Sequence, residues 1–239
     1  MTDQHYSRYG RPILPYETLG RYNSVWFDDL TDPIGTTGFP WDYELSGLGS
    51  PSVSNFEIDG RPGTFRLTSG TDTTSYSRAL YGINAASDVQ PYWSLGTDRL
   101  TFELLCRMPT LPDGTNTYTG GGGMRDYFAT NSAAACGLTF SGGNLTWTMT
   151  TRTDAGALTT TTATATTATA NKWHHFKLIL APSLAVFEVD GVQVCTHTTN
   201  IPDGGITPYL QIAKTAGTTS RDLDVDWVKV TQEFATRRY

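Results

Sequence analysis

Residues 170–199, reading ANKWHHFKLILAPSLAVFEVDGVQVCTHTT, restrict the possible folds more than any other part of the chain. Apolar residues alternate along three runs there, and Asp190-Gly191 joins the last two. An Asp-Gly pair between alternating runs is a strong hairpin signal, because both central residues of a type I′ turn need positive φ. With a two-residue turn, Val189 opposes Val192, Glu188 opposes Gln193 and Phe187 opposes Val194. The apolar pairs then share an inward face while the polar pair looks outward. This part of the chain is committed to an antiparallel sheet with one buried side.

The remaining sequence obeys the same grammar. In 239 residues there are 24 Gly and 12 Pro, Thr is abundant, and charged residues make up only 17%. That composition disfavours helix and suits short strands punctuated by turns, as in a β-sandwich or barrel. The length is ample for a core. A formal net charge of −6 offers no basic stripe for phosphates, so no nucleic-acid partner is expected. Three cysteines, Cys106, Cys136 and Cys195, cannot all pair within one chain. The start, MTDQHYSRYGRP, lacks the apolar stretch of a secretory signal, and no later run is long enough for a bilayer. Synthesis in a reducing cytoplasm with free thiols is the expectation, with no membrane partner.

The chain divides at about residue 25. Residues 1–25 hold Tyr6, Arg8, Tyr9, Arg11, Tyr16, Arg21 and Tyr22 around Pro12 and Pro15, with no alternation. Two readings stand: a disordered leader, or an extended arm lying on a partner, since Tyr and Arg are enriched in interfaces and proline lowers the entropy lost on docking. Residues 26–239 read as a single domain. From Trp26 to about Gly96 this domain reads as loop-rich, with strands at 56–58 and 65–68 and a turn at Pro62-Gly63. A firmer strand runs from Leu100 to Met108 and buries Cys106, and another passes through Leu145, Trp147 and Met149. Gly120–Gly123 reads as a flexible loop, lacking the Lys-Ser/Thr of a phosphate cradle. The Thr/Ala tract at 159–170 reads as an edge strand or extended surface segment.

Two constellations invite chemistry. His174 and His175 are adjacent, so a regular strand turns them to opposite faces and they cannot share a metal. Without a Cys-x-x-Cys or His-x-His spacing elsewhere, no metal and no cofactor is expected. Trp173 is expected to seal the end of the core. Asp222, Asp224 and Asp226 alternate along one strand face, about 6–7 Å apart by strand geometry. Such a row can bind a cation, supply acids for glycoside hydrolysis, or stand as a solvated face balanced by Arg221 and Lys229.

The order NKWHHF (171–176), FEVDG (187–191) and DWVKV (226–230) resembles the concanavalin A-like lectin/glucanase superfamily, over roughly residues 56–231. The resemblance implies an all-β jelly-roll sandwich of two curved antiparallel sheets, here with an extended N-terminal arm. The stretch PGTFRLTSGT (62–71) is similar to modules of this fold in bacteriophage structural proteins. The Glu-x-Asp-x-x-Glu strand of laminarinase-like glucanases is absent, as are the Arg-Glu-Arg and Gln-x-His motifs of related lyases. The implied role is therefore a non-enzymatic virion protein, such as a capsid decoration or cement protein. It would be a homo-oligomer, possibly a trimer, holding the major capsid protein or another virion subunit. A second reading is a lectin-like receptor module of a phage tail, with Tyr92, Trp93, Tyr209 and Trp227 stacking on sugar rings. A third is a polysaccharide hydrolase or lyase using Asp224 or Asp226 with a second acid not identified in the sequence.

Overall fold

The computed structural model describes residues 23–28, 41–47, 52–81, 93–95, 99–125, 133–141, 144–153, 155–164 and 168–233. Within them the regular structure is all strand. In chain order the first eight are β1 (Asn23–Asp28), β2 (Trp41–Ser46), β3 (Ser52–Ile58), β4 (Arg61–Thr68), β5 (Tyr76–Tyr81), β6 (Trp93–Ser94), β7 (Arg99–Arg107) and β8 (Tyr118–Arg125). The others are β9 (Ala133–Ser141), β10 (Asn144–Arg152), β11 (Leu158–Thr164), β12 (Trp173–Ala181), β13 (Leu184–Val189), β14 (Val192–His197), β15 (Gly205–Lys214) and β16 (Asp222–Glu233).

These strands form two 8-stranded sheets. The first runs β14-β13-β12-β7-β16-β4-β3, with β1 also on β16. The second runs β11-β10-β9-β8-β15-β5-β2, with β6 also on β15. Inward residues of both sheets meet in a single core. The first contributes Phe65, Leu104, Phe176, Phe187 and Val228, and the second Trp41, Met124, Trp147, Met149 and Leu210. The expected jelly-roll sandwich is the observed fold. Alternation along β12 places His174, Phe176, Leu178 and Leu180 inward and Trp173, His175, Lys177 and Ile179 outward. Cys106 is buried in β7, and β11 is an edge strand.

Several local expectations are corrected. The Asp190-Gly191 turn forms with φ of 51° and 79°, and Val189 faces Val192 as expected. Beyond Glu188 and Gln193 the register shifts, however, and Phe187 pairs with Cys195. Val194 is the extra residue of a bulge, which bends this edge strand away from further pairing. Between Trp26 and Gly96 the chain is richer in strand than expected, and β1 begins at Asn23. The turn before β4 is Asp59-Gly60 (φ 53° and 72°) rather than Pro62-Gly63, which lies inside the strand. There Pro62 and Gly63 together oppose Glu57, a bulge where a missing proline N–H costs the ladder little.

Gly120–Gly123 is no loop. It forms the middle of β8, between β9 and β15 in the second sheet. A Cβ on Gly122 would stand 2.7 Å from the Tyr209 carbonyl oxygen and 3.0 and 3.2 Å from methyls of Leu210 and Leu104. One on Gly120 would stand 3.2 Å from the Tyr118 ring and 3.4 Å from Met108. The inward glycines thus make room for the backbone of β15 and for the large side chains of Tyr118, Leu104 and Leu210. No local pattern in the sequence records that demand.

Candidate functional site

The outer face of the first sheet gathers the acids singled out from the sequence, each beside a cation. Asp224 is fully buried between two arginines. Arg66 donates Nε and Nη2 to its two oxygens at 2.6 and 2.9 Å, and Arg107 donates Nε and Nη2 at 3.1 and 2.9 Å. The cross-strand register sets this row, since Asp224 pairs with Arg66 on β4 and Arg107 on β7. Arg107 Nη1 also donates to Asp59 at 2.7 Å. Asp222 accepts from Thr68 Oγ1 at 2.7 Å and stands 3.5 Å from Arg66. Asp226 is the bulged residue of β16 and pairs with Arg61. The cations that balance this row are Arg61, Arg66 and Arg107; Arg221 instead reaches Asp113, and Lys229 reaches Glu103.

Two further features correct the reading of this face. Trp173 does not seal the core. It points outward from β12, half-buried, with the Arg61 and Arg107 guanidinium carbons 5.0 and 5.1 Å from its ring centre. Trp227 is also turned outward, by the bulge at Asp226, and tilts against His175 at 5.5 Å. Below them Glu103 stands 3.2 Å from His175 Nε2 and 2.8 Å from Lys229. His175 and then Lys229 hold its carboxyl down at about 2 against the desolvation that opposes them. The Asp224 carboxylate is closed off, and Glu103 is a committed anion rather than a proton donor.

The outer face of the second sheet is its chemical opposite. Strands β5, β8, β9, β10, β11 and β15 contain neither Asp nor Glu; Asp42 and Glu44 lie on the edge strand β2. The register lines up Thr148, Gly137, Gly121, Gln211 and Arg78 across five strands, and Thr150, Ala135, Gly123 and Tyr209 in the next outward row. Two adjacent strands therefore carry only Gly and Ala at these positions, and Gly121 and Gly123 are buried. Threonines border this strip on one side. On the other, Arg78 Nε donates to Gln211 Oε1 at 2.9 Å and its guanidinium lies 4.8 Å from the Tyr76 ring. Arg125 lies 5.6 Å from the Tyr209 ring. Rings, guanidinium groups and an amide can stack on and hydrogen-bond a hydroxyl-rich ligand, and the edge strand β2 sets Glu44 opposite Arg78 at the end of the first row.

The aromatic residues singled out from the sequence are not brought together. Tyr209 lies on the outer face of the second sheet and Trp227 on that of the first. Trp93 tilts against Tyr81 at 6.2 Å and packs on the core. Tyr92 lies outside the described residues, as do the arm candidates Tyr6, Arg8, Tyr9, Arg11, Tyr16, Arg21 and Tyr22. Arg78, Arg125 and Gln211 were missed; the alternation of Tyr209 and Gln211 along β15 was the available signal. Among the described residues, no group of three or more His, Cys, Asp or Glu stands where it could hold a metal ion.

Two antiparallel sheets around one core, in this strand order, define a concanavalin-like jelly roll. The chain belongs to the family described as SO2946-like, C-terminal domain, whose model matches residues 60–226. No curated protein matches it. Among solved structures it is similar to an endo-1,3-beta-glucanase from Streptomyces sioyaensis, at TM-score 0.57 and 16% identity, covering 90% of this chain and 98% of that one. The binding domain of botulinum neurotoxin serotype D/C is also similar, at TM-score 0.52 and 15% identity, covering 84% of this chain and 46% of that one. So is botulinum neurotoxin type C, described as entering cells through interaction with two ganglioside molecules, at TM-score 0.51 and 14% identity, covering 84% and 44%. Similarity at these identities is one of fold. The fold is thus used by hydrolases and by binding domains.

Proposed function

We propose that this protein is a non-enzymatic adhesion module, a bacteriophage virion protein that decorates or cements the particle. One observation carries the non-enzymatic part: Asp222, Asp224 and Asp226 on the first sheet stand beside arginines, with Asp224 fully buried between two of them. Glycoside hydrolysis needs one carboxyl that gives a proton and a second that attacks or activates water, both facing the same bond. Support for the virion comes from the phage-like stretch at 62–71 and the Tyr/Arg/Pro composition of residues 1–22. In this reading the sandwich is a rigid block, the arm engages the major capsid protein or a neighbouring subunit, and a homo-oligomer, such as a trimer, multiplies the attachment. Imaging of particles carrying the protein tests it: density for the sandwich on the capsid surface is expected, and an empty surface overturns it.

A second reading, glycan binding by a tail receptor module, is favoured by the wall of Tyr209, Arg125, Gln211, Arg78 and Tyr76 beside the Gly/Ala strip. A glycan array probed at high protein concentration tests it. Binding lost in Tyr209→Ala supports this reading, and an array without signal removes it. For the hydrolase reading, cleavage of a polysaccharide that survives Asp224→Asn and Asp226→Asn would exclude both residues as its acids.

A further inference from the structure

The edge where the two sheets come together at β11 and β14 is held by an unusual residue. Of the six residues of β14, only His197 is buried; Val192 is 67% exposed, and the bulge at Val194 interrupts the ladder to β13. The side chain of His197 leaves the first sheet and enters the second. Its Nδ1 lies 2.8 Å from Thr151 Oγ1 on β10, and its Nε2 lies 2.7 Å from Thr161 Oγ1 on β11. Thr151 Oγ1 donates onward to the Thr199 carbonyl at 3.3 Å, so it accepts from Nδ1–H. In the neutral ring Nε2 accepts from the Thr161 hydroxyl, a match that protonation of Nε2 reverses. Around it, Asn200 Nδ2 donates to Thr159 Oγ1 at 2.9 Å, and Thr159 and Thr199 share a hydroxyl contact at 3.2 Å.

We propose that His197 is an acid-sensitive latch: protonation of its ring releases β14 from β10 and β11 and opens this edge of the sandwich. Among the described residues, no acid forms an ion pair with His197. Strands β10 and β11 carry no acid, and Arg152 at the end of β10 directs Nε to the Gly156 carbonyl. On β13, Glu188 faces Lys177 on the outer face, and Asp190 in the turn binds His174 and the His175 amide. On β14 itself the only other titratable group is Cys195, a neutral thiol that burial pushes up to about 11. A buried imidazolium without an anion is costly, and the poorly buried edge strand is the element least able to resist its escape to water.

Burial, the one cause acting on His197, holds its pKa below the ordinary value. The open form therefore binds more protons than the closed one. Closure is at full strength above about pH 6.5 and is lost as pH falls through the closed-state pKa, by up to about tenfold in the open-to-closed ratio per pH unit.

Amide exchange of the full chain at pH 7.5 and 5.0, corrected for the intrinsic rate, tests the latch. Segments 158–164 and 192–200 are expected to lose protection at pH 5.0 that β7 and β16 keep. In His197→Gln, whose amide does not titrate, that extra loss is expected to vanish. Uniform protection at both pH values overturns the proposal, as does an unchanged pH response in His197→Gln. Should that variant not fold, the imidazole of the wild-type protein is followed by NMR instead. A His197 midpoint below 6.5 that coincides with opening of the seam amides upholds the latch, whereas titration without any change in those amides refutes it.

Discussion

At the scale of single residues, Asp224 has the largest consequence for stability. Its carboxylate has no access to solvent and receives donors from two guanidinium groups, one of them, Arg107, only 6% exposed. The desolvation of this triad is already met in the folded state. Removing the acid leaves two cations facing each other, with Asp59 the remaining anion on Arg107. Asp224→Ala is expected to lower stability by about 3–5 kcal/mol, read as a fall in the urea midpoint at unchanged slope. A loss under about 1 kcal/mol would show that the triad contributes little. Glu103 supplies the pH counterpart. Its carboxyl is held at about 2 by His175 and Lys229, so its contribution is complete above about pH 4.5 and disappears as pH falls from there through 2. Between pH 5 and 2, Glu103→Gln should show a flatter stability curve than the wild type.

At the scale of elements, glycine positions divide into two kinds. Gly60 and Gly191 occupy turns with positive φ and open space around them, so their role is conformational. Gly122 sits in a central strand where a side chain would strike the backbone of β15 and the core residues Leu210 and Leu104. Gly122→Val is accordingly expected to cost about 1–3 kcal/mol through overpacking, despite the better β propensity of valine. Thermal unfolding distinguishes the cases: a rise in melting temperature would mean propensity dominates at this site. Bulges are the other device at this scale. The one at Asp226 lets β16 send Val225 and Val228 inward while Asp224 and Trp227 face out, which strict alternation forbids.

At the scale of the whole molecule, β1 determines where the sandwich begins. Its residues pair with Val228–Glu233 at the end of β16, joining the start of the described chain to its end. Deleting residues 1–22 should leave the urea midpoint unchanged. Deleting residues 1–28 should lower stability by at least about 2 kcal/mol, because several ladder hydrogen bonds of about 0.5–1.5 kcal/mol each are lost. Equal midpoints for the two truncations would mean that β1 is dispensable.

Much of this architecture was legible in local pattern. Period-two alternation identified β7, β10 and β12, and the Asp190-Gly191 pair identified the β13–β14 hairpin, because side-chain direction and positive φ are properties of a few neighbouring residues. The same rule applied to Asp59-Gly60 would have found the β3–β4 turn. What the sequence determined alone is therefore the alternating strands β7, β10 and β12 and the turn of the β13–β14 hairpin. Tertiary structure decided which strands lie side by side. Only that placement sets Arg66 and Arg107 on either side of Asp224, joins Thr151 and Thr161 to His197, and makes four glycines a strand rather than a loop. Each of these depends on residues far apart in the chain, and the energy of such contacts is not written in any one segment.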